Sequence, residues 1–215
     1  GTTSPAAAPR PAAGVYRYRG EGTDSIHTPP KSQAEGPDMP VTITHRGDDC
    51  WQFRIDYSSN HWQTWDYCRH GRTLVEEGGQ TYQRWDFTVF VNESTTTFEC
   101  DSSDTIRPTQ DAGDEWTQSC HDRDHPETTS SGLYRFVGRE VLTVGDRKGP
   151  AYRYHRERTM RGGQSGTERS EVWFAVDTGL PLRNRRSIDV ATSTAIGDVR
   201  YTEDASFEAT STSPV

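Results

Sequence analysis

Apolar and polar residues alternate with a period of two along most of the chain between Val15 and Phe207. Many of the apolar positions hold β-branched or aromatic residues, and no window of about 11 residues shows a helical period of 3.6. The pattern therefore predicts an all-β protein with antiparallel strands.

The clearest alternation covers residues 50–68, CWQFRIDYSSNHWQTWDYC, with a turn expected at Ser58-Ser59-Asn60. Folding the segment about Ser59 places Trp51 opposite Tyr67 and Phe53 opposite Trp65. It also places Cys50 directly opposite Cys68. One face of this hairpin then becomes a block of aromatic rings.

A second alternating run includes Trp85 and Phe87. A two-residue turn at Asn92-Glu93 would set Phe87 against Phe98 and Trp85 against Cys100. The sequence therefore predicts a second aromatic hairpin.

The alternation stops between residues 101 and 131, where Asp, Ser, Thr, Pro and Gly dominate, and it resumes after Gly132. We interpret 101–131 as a long surface loop. The remainder of 14–211 is expected to form a single β domain, followed by a short tail at 212–215.

Four cysteines allow three pairings. The hairpin register favours Cys50 with Cys68, which leaves Cys100 with Cys120 as the second bridge and staples the long loop. Such bridges indicate an oxidising, extracytoplasmic compartment. A zinc site is the competing interpretation, but the spacing of cysteines and histidines matches no zinc finger.

The composition refines this prediction. Leu, Ile, Val and Phe total 31 of 215 residues, a fraction usual for disordered chains, but 22 aromatic residues can build a core instead. The net charge of −8 argues against nucleic acid as a partner. No stretch approaches the roughly 18 apolar residues of a membrane span. Of 24 basic residues 22 are Arg, which we interpret as a product of a GC-rich genome rather than of function.

Candidate catalytic chemistry is sparse. His121 and His125 lie within HDRDH, a segment that could bind a divalent metal or form a solvated loop. Ser165 lies in a glycine-rich turn that lacks the geometry of a nucleophile elbow, and no phosphate loop or dinucleotide motif occurs. We therefore expect neither catalytic residues nor a cofactor.

The aromatic stripe is the main candidate site. These side chains are either core or the wall of a groove on the concave side of the sheet that contacts an apolar ligand. We take them as candidate ligand-binding residues, with at least part of the face accessible: Trp51, Phe53, Trp65, Tyr67, Trp85 and Phe87.

Residues 1–13 are rich in Thr, Ala and Pro and carry a single charge, a composition typical of a flexible tether. Two origins remain open. The chain is either an envelope lipoprotein whose lipidated cysteine preceded Gly1 and was removed from this sequence, or a secreted protein.

The segment 170–183, SEVWFAVDTGLPLR, resembles a hairpin found in bacterial envelope proteins of the LolA, LppX and RseB type. The upstream strand pair VGREVLTV at 137–144 is similar to the one that precedes it in those proteins. The resemblance implies a large bent antiparallel sheet, a half-barrel or open barrel, whose concave face accepts acyl chains in the carrier members. It implies no catalytic residues.

Together these features predict a non-enzymatic secreted or lipid-anchored envelope protein that binds a hydrophobic or lipid-like ligand. Two alternatives remain: an interaction or sensor module that binds a protein partner, and a secreted metal-dependent hydrolase using His121 and His125.

Overall fold

The computed structural model describes residues 10–194 and 197–215, with the side chain of Ser102 excepted. Within those ranges the strands join into one antiparallel sheet, which confirms the predicted fold class. None of the described residues belongs to an apolar helix long enough to cross a bilayer. The strands are β1 Gly14–Tyr16, β2 Tyr18–His27, β3 Pro30–Glu35, β4 Val41–Arg46, β5 Cys50–Ser58, β6 His61–His70, β7 Thr73–Asp86, β8 Val91–Ser102, β9 Asp104–Ile106, β10 Glu115–Asp122, β11 Thr129–Val144, β12 Arg147–Arg161, β13 Gln164–Ala175, β14 Pro181–Thr194 and β15 Gly197–Ala209.

The sheet rolls around a concave interior. Its strand order is β1-β4-β5-β6-β7-β8-β10-β11-β12-β13-β14-β15-β2-β3, with β9 paired to β7. Only Arg17 separates β1 from β2, yet β1 pairs with β4 and β2 pairs with β15. The two ends of the strand order therefore come together, and β5 to β7 face β12 to β15 across the interior.

The hairpin of β5 and β6 has the predicted register. Cys50 pairs with Cys68, Trp51 with Tyr67 and Phe53 with Trp65. The Cys50 and Cys68 sulfurs are bonded, and the predicted second disulfide joins Cys100 to Cys120.

The predicted register of the second hairpin is wrong. β7 continues to Asp86, the chain turns over residues 87–90, and Trp85 pairs with Asn92 rather than Cys100. Phe98 lies opposite Gly79. Phe87 and Phe90 stack on each other inside the turn, 4.6 Å between ring centroids, which a turn at Asn92-Glu93 would prevent.

The segment 101–131 is not a long loop, because it contains β9, β10 and the start of β11. β10 lies between β8 and β11 in the sheet. Its residues alternate between exposed and buried, but two of the buried ones, Gln118 and Asp122, are polar. A hydrophobic pattern therefore could not reveal this strand.

Residues 1–9 of the predicted tether lie outside the described residues. The following residues pack against the sheet: the Arg10 guanidinium donates to the Gly47 carbonyl at 2.6 Å, and His45 Nε2 bonds the Pro11 carbonyl at 2.8 Å. The predicted tail also pairs with the sheet, since the Val215 amide donates to the Val15 carbonyl at 2.9 Å.

The turn between β13 and β14 uses the chemistry that its sequence suggested. Asp177 Oδ1 accepts a hydrogen bond from the Thr178 amide at 2.8 Å. Gly179 has φ of +75°, a conformation that favours glycine, and β14 restarts at Pro181.

Candidate functional site

The predicted aromatic groove is core. Trp51 and Phe53 are 0% exposed, and Trp65, Tyr67 and Trp85 are also buried, while Phe87 is half-buried. The expected accessibility of the face around Trp51, Phe53, Trp65 and Tyr67 is therefore wrong, because all four are buried. The far side of the rolled sheet covers them: Phe53 stacks on Phe207 of β15, and Tyr67 meets Phe174 of β13 edge to face.

The interior changes character along the strands. On β12 the residues that point inward are, in order, Tyr154, Arg156, Arg158 and Met160. Tyr154 packs in the aromatic core, whereas Met160 lines an open cavity. The two arginines lie between these regions, and other strands contribute charged residues at the same level.

These residues form a charged belt across the interior, in which three arginines meet three carboxylates. Arg156 donates to Glu76 at 3.1 Å and to Glu168 at 2.8 Å. Arg186 bonds Glu203. All members are less than a tenth exposed. The belt consists of Glu76, Arg156, Arg158, Glu168, Arg186 and Glu203.

Ion pairing keeps most of the belt charged despite burial. Burial opposes the charge of Arg156, but Glu168 and Glu76 raise its pKa above the usual value. Burial alone would raise the pKa of Glu168, yet the arginines, Arg156 first, hold it below its usual range. Burial and the neighbouring Arg156 lower the pKa of Arg158. The belt therefore acts as a fixed array of alternating charges.

A cavity of about 450 Å³ lies between the belt and one end of the sheet. All six belt residues line it, and so do the Tyr201 ring and eight apolar side chains. It reaches the ends of the β7–β8, β12–β13 and β14–β15 hairpins, where Asn92, Ser94 and Thr194 are exposed to solvent. The apolar lining residues are Ile26, Trp65, Trp85, Phe98, Met160, Ile188, Val190 and Val199.

Small residues create this space. Gly78 and Gly79 on β7 and Ser94 and Thr96 on β8 all line the cavity. A Cβ at Gly78 would lie 2.1 Å from the Phe98 carbonyl oxygen, and its φ of +147° also favours glycine. Two of the predicted ligand-binding residues, Trp65 and Trp85, do border the cavity, although they are largely buried.

The buried arginines are the feature that sequence reasoning missed. The abundance of Arg was attributed to genome composition, yet Arg156 and Arg158 follow the same alternation as Tyr154 and Met160. Charged residues in phase with apolar neighbours on one strand were the available signal.

The candidate metal pair does not assemble. His121 lies on β10 with Nδ1 3.1 Å from Asp101, whereas His125 lies in the following turn, 71% exposed, near Glu127 at 3.8 Å. Among the described residues, neither histidine belongs to a group of three potential metal ligands.

Two other groups of potential ligands do occur in the described chain. One combines Glu76 with Cys100 and Cys120, whose sulfurs are already joined in the disulfide. The other brings together Asp24, Glu35 and His61, all buried, with one ligand atom from each within 4.8 Å of the others.

No protein-family model matches the chain. No curated protein matches it either. Among solved structures it is similar to one described as a "putative lipoprotein" from Parabacteroides distasonis, with 8% sequence identity and a TM-score of 0.37. That match covers 94% of this chain and 95% of the other. A similarity at this level carries no inference about function.

Proposed function

We propose that this chain is a non-enzymatic protein of the bacterial envelope, secreted or lipid-anchored, that binds an amphipathic, lipid-like ligand inside its rolled sheet. The cavity beside the charged belt carries this proposal. Its volume of about 450 Å³ falls within the ~300 to 1,000 Å³ of small-molecule sites.

The lining suggests how such a ligand would be oriented. The apolar wall around Trp65, Trp85 and Met160 would contact a hydrocarbon part, and the belt would contact a polar head group.

Two observations support the extracytoplasmic location. Both cysteine pairs are bonded, and disulfides persist mainly in oxidising compartments. The hairpin at 170–183, which resembles that of LolA-type envelope carriers, forms the β13–β14 turn. Lipid anchoring remains part of the proposal.

Titration with a fluorescent long-chain acyl probe tests the binding function. We expect saturable binding, with energy transfer from Trp65 and Trp85 because both border the cavity. Thr96→Trp should weaken binding by about tenfold or more, since the added ring would fill the space beside the wall.

Thr95→Trp is the matched control. Thr95 is the preceding residue on β8, is exposed, and is not part of the cavity lining. Native mass spectrometry of protein from the original host would then identify a co-purifying ligand. Equal binding by the wild type and Thr96→Trp would show that the probe does not bind in the cavity.

A second candidate function, a module that binds a protein partner, is favoured by the tip of the β7–β8 hairpin. Val89 is 88% exposed, and Phe90 and Val91 are about half exposed. Contiguous exposed apolar residues are typical of contact surfaces. Val89→Ser with Phe90→Ser should leave acyl-probe binding unchanged but reduce cross-linking to an envelope protein if this function is correct.

A further inference from the structure

The cluster of Asp24, Glu35 and His61 forms where the ends of the sheet meet. Asp24 belongs to β2, Glu35 ends β3 and His61 begins β6, and the three side chains are 0%, 4% and 0% exposed. His61 Nδ1 lies 2.7 Å from Glu35 Oε1 and 3.6 Å from Asp24 Oδ2. The cluster lies outside the cavity lining and is independent of the proposed ligand site.

Each residue of the cluster also has a buried polar atom without a hydrogen-bond partner. These atoms are Asp24 Oδ1, Glu35 Oε2 and His61 Nε2. An unsatisfied buried polar atom costs about 1 to 3 kcal/mol, so the two carboxylate oxygens in particular call for an explanation. The cluster's further hydrogen bond, from Gln33 Nε2 to Asp24 Oδ2 at 3.0 Å, leaves all three unsatisfied.

The surrounding groups do not balance the two carboxylates. From β14 Arg186 interacts electrostatically with Glu35, but it already bonds Glu203 of β15. From β5 the Tyr57 ring packs against the His61 ring, with centroids 4.8 Å apart. Within the cluster the two carboxylates can pair only with His61, which carries at most one positive charge. At least one of two ionised carboxylates would therefore lack compensation, and a buried charge without compensation is strongly unfavourable.

We propose that Asp24, Glu35 and His61 bind a divalent transition metal ion that ties β2, β3 and β6 together. One imidazole nitrogen and two carboxylates form a ligand set suited to Zn²⁺ or Mn²⁺. Tetrahedral ligands at metal distances of about 2.0 to 2.2 Å lie roughly 3.5 Å apart. The His61 Nδ1 to Asp24 Oδ2 distance of 3.6 Å already fits this spacing.

Metal binding also requires the Glu35 carboxylate to move. Its Oε1 must move away from His61 Nδ1, because 2.7 Å is a hydrogen-bond distance rather than a separation between two ligands. The carboxylate oxygens without partners, Asp24 Oδ1 and Glu35 Oε2, are available for further coordination. Because the cluster is buried, we assign the metal a structural role.

The test uses the full chain after dialysis against a chelator. Zn²⁺ or Mn²⁺ is added, excess ion is removed by gel filtration, and bound metal is counted by inductively coupled plasma mass spectrometry. We expect one ion per chain and a higher melting temperature, because a ligand that binds only the folded state stabilises it. No retained metal and no change in melting temperature would overturn the proposal.

Variants identify the site. Asp24→Asn and His61→Gln should each weaken binding by about 100-fold or more, since even residues that only support a metal ligand contribute 10 to 100-fold. His121→Gln is the matched control, because His121 also lies beside two carboxylates, but these, Asp101 and Glu99, are more than half exposed. If His121→Gln removes binding and the other two do not, the metal binds elsewhere.

A measurement on the wild-type chain covers the case in which the variants fail to fold. Co²⁺ is added at one equivalent, and the imidazole resonances of the seven histidines are followed by NMR. Selective paramagnetic shift or broadening of His61 supports the proposal. A response at any other histidine alone overturns it.

Discussion

The two ends of the interior bury opposite kinds of side chain, aromatic at one end and charged at the other. At one end Tyr18, Phe53 and Phe207 meet ring against ring, with no charged side chain among them. At the other end β7 and β12 to β15 bury arginines and carboxylates and leave a cavity. The aromatic end is held by contact area, whereas the charged end is held by complementary charges that must all be present.

This difference separates the part of the sheet that mainly stabilises the fold from the part where we propose that a ligand binds. Close-packed rings leave little room for a ligand, but a belt of fixed charges beside an open space offers both volume and polar contacts. The aromatic residues selected from the sequence therefore mainly stabilise the fold. The candidate site lies one layer away, on the same strands.

Removing one charge from the belt should have the largest effect. Arg156→Met leaves both Glu76 and Glu168 without this partner, so we expect a loss of about 5 kcal/mol in the free energy of unfolding. Urea denaturation followed by far-UV circular dichroism measures it. Adding Glu168→Gln should recover part of the loss, because the belt is then balanced again and Glu76 keeps Arg158 as a partner. A double variant no more stable than the single would contradict the charge argument.

Truncation in the aromatic end should cost slightly less and should not be recoverable in that way. Phe53→Ala removes a ring that is 0% exposed, and we expect a loss of about 4 kcal/mol. Trp62→Ala is the control on the same hairpin, because Trp62 is half-buried and stacks on Tyr82 away from the core. Equal losses for the two variants would contradict the assignment of Phe53 to the core.

Removal of either disulfide should have a similar effect on stability but a different effect on binding of the acyl probe. Their sequence separations of 18 and 20 are similar, so replacing either pair with serine should cost about 3 kcal/mol in the chain-entropy model. Cys120 lines the cavity, however, and neither Cys50 nor Cys68 does. We therefore expect weaker acyl-probe binding only from the Cys100→Ser and Cys120→Ser variant.

The smallest expected effect is on the loss of stability at low pH. The pKa of Glu168 is lower in the folded chain than its ordinary value of 4.5. Ionised Glu168 therefore stabilises the folded state above pH 4.5, and this contribution is lost as the pH falls further. Glu168→Gln should reduce the difference in unfolding free energy between pH 7 and pH 3.5 by about 1 kcal/mol. Glu157→Gln, an exposed neighbour on β12 paired with Arg169, should leave the difference unchanged.

Local pattern explains what could be predicted. The β5–β6 hairpin was found with its register and disulfide, because alternation and a short turn lie within 19 consecutive residues, Cys50 to Cys68. β10 was missed because Gln118 is buried through hydrogen bonds, to the Arg158 guanidinium and the Asp104 carbonyl, rather than through an apolar side chain. Burial of this kind leaves no trace in a hydrophobic pattern.

The candidate site could not be predicted for a different reason. Its residues come from strands that meet only when the sheet rolls, so that Glu76 and Arg156 are bonded across 80 positions of the chain. The cluster of Asp24, Glu35 and His61 likewise forms only when β3, at one end of the strand order, approaches β6, which is not its neighbour in the sheet. Sequence patterns identify strands, but they do not show which inward faces will oppose each other.

The pairing of β2 with β15 has a consequence for how the chain reaches this structure. Residues 18–26 hydrogen-bond with residues 201–209, so β2, which also pairs with the adjacent β3, finds its other neighbour far along the chain. Contacts of such long range make folding slow, because a large loop must close before they form. Until then β2 and β15 expose unpaired backbone edges, which can pair with other chains. The interval before closure is therefore when this protein most needs protection from aggregation.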